Sequence, residues 1–107
     1  MPRRPRFRLT FAPEALEHLE AIEPKYHRLI RKTLDEQLRY SPEVATRNRK
    51  LLEQPAPFEA TWELRLGPHN RLRVFYEVHT DQQVTWILAI GIKVGNQLFV
   101  AGEEIKT

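Results

Sequence analysis

The sequence contains no cysteine, and only four glycines and one methionine occur among its 107 residues. The lack of cysteine excludes disulfide bonds, thiol catalysis and thiolate metal ligands, and it suits a reducing compartment such as the cytoplasm. No apolar run approaches the roughly 18 residues that a membrane-spanning helix needs. We therefore expect a cytoplasmic protein with neither a transmembrane segment nor a secretory signal, stabilised by packing.

The length predicts one domain over residues 1–107, because 107 residues lie near the commonest domain size. With 41% hydrophobic residues the chain has enough apolar material for one core. Residues 1–5, which include Arg3 and Arg4, are expected to form a flexible basic arm.

The charge is distributed unevenly, with 17 basic and 14 acidic side chains and a net charge of +3. The basic residues fall into four groups: Arg3, Arg4, Arg6 and Arg8; Arg28, Arg31 and Lys32; Arg47, Arg49 and Lys50; and Arg65, Arg71 and Arg73. This segregation favours a molecule with a basic working face and a polyanionic partner. The alternative is an ordinary solvated surface.

The first half of the chain predicts a strand and a helical hairpin. Bulky and polar residues alternate from Arg6 to Phe11, which is typical of a strand with one buried face. Apolar residues then recur at helical spacing from Pro13 to Ile22 and from Pro24 to Tyr40. The segment Glu43–Pro57 is less regular, and we expect a short helix around Ala45 to Leu52.

The second half predicts sheet. Trp62–Leu66 and Leu72–Val78 alternate in polarity around a turn, and Val84–Ile92 is apolar on both faces, as in a central strand. The tail, Gln97–Thr107, is predicted to be a short helix or an extended arm. The order of elements predicts an α+β domain: a mostly antiparallel four-stranded sheet with the N-terminal two-helix hairpin on one face.

The alternation in the predicted strands also places a group of side chains on the face away from the helices. If the apolar residues pack against the helices, Arg65, Arg71, Arg73 and Phe75 lie on the opposite face. Arginine has a planar fork of donors that matches phosphate oxygens in pairs, so these cations form a candidate anion site. Alternatively, Arg65 and Arg73 are ordinary strand residues that pair with the neighbouring acids Glu63 and Glu77.

Lys93 is expected to join this face, because it shares the phase of Ile87, Ala89 and Gly91. Such a group of cations suits RNA cleavage by 2′-hydroxyl attack, in which negative charge builds on the non-bridging phosphate oxygens. That reaction needs no metal.

Proton transfer in such a reaction points to histidine, whose ordinary pKa lies near neutrality. His69 is the candidate acid or base, because it lies in the predicted hairpin turn four residues before Arg73. His18, His27 and His79 are expected to be surface residues. No histidine has metal-ligand spacing to another ligand type, and no glycine-rich phosphate loop or nucleophile motif occurs, so we expect no metal and no cofactor.

Three runs, Trp62–Gly67, Arg71–Val78 and Val84–Lys93, resemble the RelE/ParE superfamily of bacterial toxins. The start of the chain is similar to the same family in order and spacing, with Phe11–Leu16 leading into two helices and Tyr40–Pro42 closing the second. The resemblance covers nearly the whole chain.

The resemblance implies a toxin of a type II toxin-antitoxin system, held in a hetero-oligomer by an antitoxin that blocks its basic face. RelE-like members enter the ribosome and cut mRNA without metal, using basic residues and often a tyrosine or histidine. For this chain it implies phosphate binding and charge stabilisation by Arg65, Arg73 and Lys93, with His69 as a candidate acid or base. The expected RNA-contacting residues are Arg71, Phe75, Arg47, Arg49, Lys50 and Phe99.

Two departures from the RelE-like pattern favour alternatives. Glu63 stands where some members have lysine, and Phe99 lies about where a tail tyrosine is found. Phenylalanine stacks on bases but cannot exchange a proton. A ParE-like toxin, which poisons DNA gyrase by binding it, would need no proton-transfer residue. A third interpretation is an inactive toxin that retains only antitoxin binding.

Overall fold

The computed structural model describes residues 6–106. The predicted basic arm, residues 1–5, lies outside this range. The elements in chain order are β1 Arg8–Phe11, α1 Pro13–Glu20, α2 His27–Leu38, β2 Arg49–Leu51, β3 Trp62–Leu66, β4 Leu72–His79, β5 Val84–Val94, β6 Gln97–Val100 and β7 Glu103–Ile105. The α+β class with a helical hairpin and a largely antiparallel sheet is confirmed. Neither of these helices is long and apolar enough to cross a membrane.

The described residues form one seven-stranded sheet in the order β2-β3-β4-β5-β6-β7, with β1 paired to β5. All pairs are antiparallel except β1 with β5, which is parallel. The central strand β5 has β4 along one side and β1 followed by β6 along the other. The predicted count of four strands is wrong, because β2 and the two tail strands extend the sheet.

The segment around Ala45 to Leu52 is not the predicted helix. The backbone amide of Arg49 donates to both the carbonyl and the hydroxyl oxygen of Thr46, which forms a tight turn into β2. Pairing of β2 with β3 satisfies the backbone groups that a helix would have bonded internally.

The tail is also sheet, in the form of the β6–β7 hairpin. Its turn contains Gly102 at φ +81°, and the preceding β5–β6 turn contains Gly95 at φ +62°. Both values lie in the left-handed region that glycine adopts without a steric penalty. These two turns fold the tail back onto the sheet.

The main core lies between the sheet and the two helices. Ile30, Leu34 and Leu38 of α2 recur every four residues and are fully buried, as the helical periodicity predicts. Leu16 and Leu29, which fall within the two segments of predicted helical spacing, are 45% and 38% exposed. The buried residues of α1 are Ala15 and Leu19, so this helix packs through a narrower stripe.

A second, smaller apolar cluster lies on the other face of the sheet. It is centred on Ala60, Phe75 and Ala89, with Leu52 and Leu98 packed against it. Phe75 is 2% exposed, because the segment after β2 and the strand β6 cover it from opposite sides. The face that the sequence predicts to be uncovered therefore has its own apolar lining.

A bulge in β5 changes which residues of that strand lie on this second face. Phe75 pairs with Ala89 and Tyr76 pairs with Ile87, so Leu88 is an extra residue on β5. Ile87 consequently belongs to the core on the helix side, and its predicted alignment with Lys93 is wrong. Lys93 lies on the same face as Ala89, four residues earlier in β5, as predicted.

Candidate anion-binding pocket

A pocket of about 260 Å³ opens on the second face of the sheet, over Phe75. Phe75 and the flanking Leu52 and Leu98 give it an apolar lining. The cations that line it are Lys50 of β2, Arg65 of β3, Arg73 of β4 and Lys93 of β5. We name this site the basic pocket.

One carboxylate lies among these cations. Arg65 Nε donates to Glu63 Oε1 at 3.2 Å, and Arg73 Nη1 donates to Glu63 Oε2 at 3.3 Å. Arg73 Nε also donates to the carbonyl oxygen of Asn70 at 2.9 Å, which fixes its guanidinium at the hairpin turn. Each oxygen of Glu63 thus contacts a different arginine.

The pairing of the strands explains this arrangement. Arg65 and Arg73 are directly opposite in the β3–β4 register, so their side chains emerge side by side on one face. Glu63 lies two residues before Arg65 on the same strand, so its side chain is on the same face and contacts both guanidinium groups. Among residues 6–106, four cations and one carboxylate line the basic pocket, which is an excess of three positive charges.

The three side chains differ in exposure. Those of Arg73 and Glu63 are 14% and 11% exposed, whereas that of Arg65 is 37% exposed. The side chain of Arg73 is therefore largely buried, because the hairpin turn and Glu63 enclose it. Charge-assisted hydrogen bonds are stronger at such a partly dehydrated position than at the surface.

Five residues that the sequence singles out meet in this pocket: Lys50, Arg65, Arg73, Phe75 and Lys93. Phe75 supplies apolar lining and is too buried to present a whole ring face. Of the two acids that the sequence offers as partners for Arg65 and Arg73, Glu63 contacts both arginines. Glu77 instead pairs with His79 at 3.0 Å.

Three other candidates lie apart from the pocket. His69 is exposed in the turn Pro68–Asn70 at φ +55° and does not line it. Arg71 is exposed, and its carbonyl oxygen accepts a hydrogen bond from the Lys93 amide at 2.7 Å. Phe99 pairs with Ile92, which packs against the main core, so Phe99 lies on the helix side of the sheet.

The two remaining basic candidates differ from each other. Arg49 is buried, and its Nη1 donates to the carbonyl oxygens of Gln37 at 3.0 Å and Ser41 at 2.8 Å. It therefore ties β2 to the end of α2. Arg47 is exposed and lines an open groove of about 440 Å³ that shares Lys50 and Arg65 with the basic pocket.

A larger groove of about 470 Å³ lies near the end of α2, beside Tyr40 and Val44. Arg49 is the one cation among the described residues that line it, and it is already bound to backbone carbonyls. The basic pocket is smaller, but we regard it as the functional candidate because four cations converge there.

The contribution of the tail to the pocket was not predicted from the sequence. Asn96 lies between β5 and β6 and Ile105 lies on β7, and both line it. The turn pairs Gly95–Asn96 and Ala101–Gly102, which are separated by the four residues of β6, were the available signal for a hairpin. That signal was obscured by the short strands.

The chemistry available in the pocket is mainly electrostatic. Among the described residues that line it, Glu63 is the one carboxylate and none is histidine or tyrosine. No group of three potential metal ligands occurs in residues 6–106. The arrangement can bind an anion and stabilise developing negative charge.

Comparisons with known proteins agree with this fold. A family model described as the ParE toxin of type II toxin-antitoxin systems matches residues 9–93. A search of curated proteins gives no match. The toxin-antitoxin complex RelBE2 from Mycobacterium tuberculosis contains a chain with a TM-score of 0.68 and 17% identity, covering 87% of this chain and 98% of the other.

A second similar structure is the archaeal RelE-RelB complex from Pyrococcus horikoshii OT3. It gives a TM-score of 0.55 at 22% identity and covers 78% of this chain and 91% of the other. The fold is thus that of the RelE/ParE toxin superfamily, as the sequence resemblance implies. The chain belongs to the ParE toxin family of type II toxin-antitoxin systems, because the family model spans most of its length.

Proposed function

We propose that this toxin is a metal-independent, ribosome-dependent mRNA endoribonuclease that inhibits translation in the cytoplasm. The observation that carries the proposal is the convergence of four cations on a small pocket with an apolar lining. Phosphate oxygens would bind the guanidinium groups, and the apolar surface of Leu52 and Leu98 would contact a nucleobase.

The basic pocket is suited to the charge that develops when RNA is cut. In this step the 2′-hydroxyl gives up its proton as its oxygen forms a bond to phosphorus, the bond from phosphorus to the 5′-oxygen breaks, and the 5′-oxygen takes up a proton. The products are a 2′,3′-cyclic phosphate and a 5′-hydroxyl. Arg65, Arg73 and Lys93 would stabilise the charge on the non-bridging oxygens, and removing one such donor typically costs about 2.7–4 kcal/mol of barrier.

The groove beside the pocket provides room for more than one nucleotide. It shares Lys50 and Arg65 with the pocket and adds Arg47. A single strand lying across both would meet cations at successive phosphates. This continuity favours a polynucleotide over a small anion as the ligand.

The described residues of the pocket leave no free side chain suited to the proton transfers that RNA cleavage needs. His69 lies outside it, and both oxygens of Glu63 are bound by arginine. We therefore expect the chain alone to cut RNA slowly and the ribosome-bound message to be the effective substrate. An antitoxin that covers the basic pocket in a hetero-oligomer is the proposed means of control, in line with the toxin-antitoxin complexes that share the fold.

The test is induction of the toxin alone in bacteria, followed by mapping of mRNA 5′ ends as growth slows. We expect cuts at fixed codon positions for the natural protein and their loss for Arg73→Gln. Arg28→Gln, which alters an exposed cation of α2, serves as the matched control. Growth arrest with intact messages would contradict the proposal.

A ParE-like toxin that poisons DNA gyrase by binding is the second candidate. It is favoured by the family model that matches the chain and by the lack of histidine and tyrosine among the described pocket residues. This candidate predicts broken DNA with intact mRNA in the same experiment. Absence of growth arrest would instead indicate an inactive toxin that retains antitoxin binding.

A further inference from the structure

We propose that Glu63 is an internal anion of the basic pocket. In the unliganded toxin its carboxylate takes the place of a phosphate between Arg65 and Arg73, and a nucleic-acid phosphodiester must displace it. Glu63 therefore weakens the binding of phosphate by the pocket. The inference rests on the proposed role of the pocket in binding nucleic acid.

The geometry at Glu63 is that of a bridging anion. Its two oxygens accept hydrogen bonds from two different arginines, at 3.2 Å and 3.3 Å. A phosphodiester also presents two non-bridging oxygens, and guanidinium groups bind carboxylate and phosphate with the same donors. Carboxylate and phosphodiester therefore compete for the same N–H groups.

The charges explain why an internal anion belongs here. Arg65 and Arg73 are directly opposite on adjacent strands, a position in which like charges destabilise a sheet. Lys50 and Lys93 add further positive charge to the same pocket. Glu63 offsets part of this repulsion in the unliganded protein, and an arriving phosphate makes it dispensable.

The surroundings of Glu63 allow displacement. Its side-chain hydrogen bonds within residues 6–106 are to these two arginines. Arg65 is more than one-third exposed at the pocket opening, so that contact can break toward solvent. Arg73 retains its bond to the Asn70 carbonyl and stays in position when Glu63 leaves.

The experiment measures binding of a short, fluorescently labelled single-stranded deoxyoligonucleotide by fluorescence anisotropy. The probe lacks the 2′-hydroxyl and is not consumed by cleavage. Glu63→Gln is compared with the natural toxin, with Arg73→Gln as the variant that removes the anion site. Glu77→Gln is the matched control, because Glu77 is a β4 acid that pairs with His79 outside the pocket.

We expect Glu63→Gln to bind the oligonucleotide about tenfold more tightly at low salt, because the variant lacks the carboxylate charge that repels the probe. The plot of log affinity against log salt should steepen by about 0.7, the increment for one further phosphate neutralised on a single strand. Glu77→Gln should change affinity less than about twofold, as expected for an exposed pair.

A second measurement compares melting temperatures with and without phosphate, and it includes Glu63→Ala as well as Glu63→Gln. Inorganic phosphate should raise the melting temperature of Glu63→Gln and Glu63→Ala more than that of the natural toxin, because phosphate replaces the missing carboxylate. Equal phosphate shifts in all three proteins would contradict the displacement.

Failure of the inference and failure of the proposed function give different results. If Arg73→Gln abolishes binding but Glu63→Gln binds as the natural toxin does or more weakly, Glu63 is not a competing anion and the inference is overturned. If Arg73→Gln binds as tightly as the natural toxin, the pocket is not the nucleic-acid site and both proposals fail.

Discussion

His18 Nδ1 accepts a hydrogen bond from the backbone amide of Ile90 at 3.3 Å. The contact lies along the side of β5 opposite β4, where no strand of residues 6–106 pairs with it between Ile87, the partner of β1, and Ile92, the partner of β6. A ring nitrogen accepts only when it carries no proton, so the contact requires the neutral imidazole. Burial lowers the pKa of His18 from 6.5, although Glu17 and Glu14 oppose the shift.

The free energy of unfolding should therefore fall as the pH drops below 6.5, the ordinary pKa of histidine. Below that pH the unfolded chain binds a proton at His18 that the folded chain resists, and above it both states are neutral. Urea denaturation between pH 5 and pH 8 should show a flatter pH dependence for His18→Gln. His69→Gln, at an exposed turn, is the control, and equal slopes in all three proteins would exclude the effect.

Arg49 should contribute to stability rather than to RNA binding. Arg49→Ala leaves two partly buried carbonyl oxygens without their donor, and we expect a loss of about 2–3 kcal/mol in unfolding free energy. Arg49→Lys should restore only part of this loss, because Arg49 Nε also donates to the Thr46 hydroxyl at 3.4 Å and lysine has no donor at that position. Arg47→Ala is the matched control and should change stability by about 0.5 kcal/mol or less. Equal effects at the two positions would contradict the structural role of Arg49.

Tyr76 links the sheet to the loop after α2. Its hydroxyl donates to the carbonyl oxygen of Pro42 at 2.9 Å, and burial raises the pKa of the phenol, so it remains a donor. We expect Tyr76→Phe to lose about 1 kcal/mol of stability in thermal or urea denaturation. Tyr40→Phe, at a side chain that is 43% exposed, should have no measurable effect. An unchanged stability of Tyr76→Phe would show that water replaces the contact.

Gly91 should be required for the docking of the tail hairpin. A Cβ atom there would lie 2.7 Å from the carbonyl oxygen of Phe99 and 2.9 Å from Val100 Cγ2. We expect Gly91→Ala to cost about 1–3 kcal/mol and to expose β6 and β7 to limited proteolysis. Val94→Ala, at the exposed end of the same strand, is the control. A Gly91→Ala protein that resists proteolysis as the natural toxin does would contradict this assignment.

The alternation of residues along β3 and β4 was enough to predict the pocket's arginines and Phe75, because a strand has a fixed period of two. The same rule failed in β5, since nothing in the run around Leu88 marks the bulge that changes the phase of Ile87. The strand β2 was not predicted, because a strand of three residues is too short to show an alternating pattern. His69 was predicted from its distance along the chain, and its turn directs it away from the pocket.

Within residues 6–106, the two faces of the sheet carry very different shares of the buried side chains, with 14 in the core on the helix side and three in the cluster beneath the pocket. Substitutions in the pocket therefore disturb little of what holds the chain together. Such a scaffold can acquire a new target by exchanging a few charges on one face. Members of one fold can in this way diverge in what they bind while their helices and central strands stay the same.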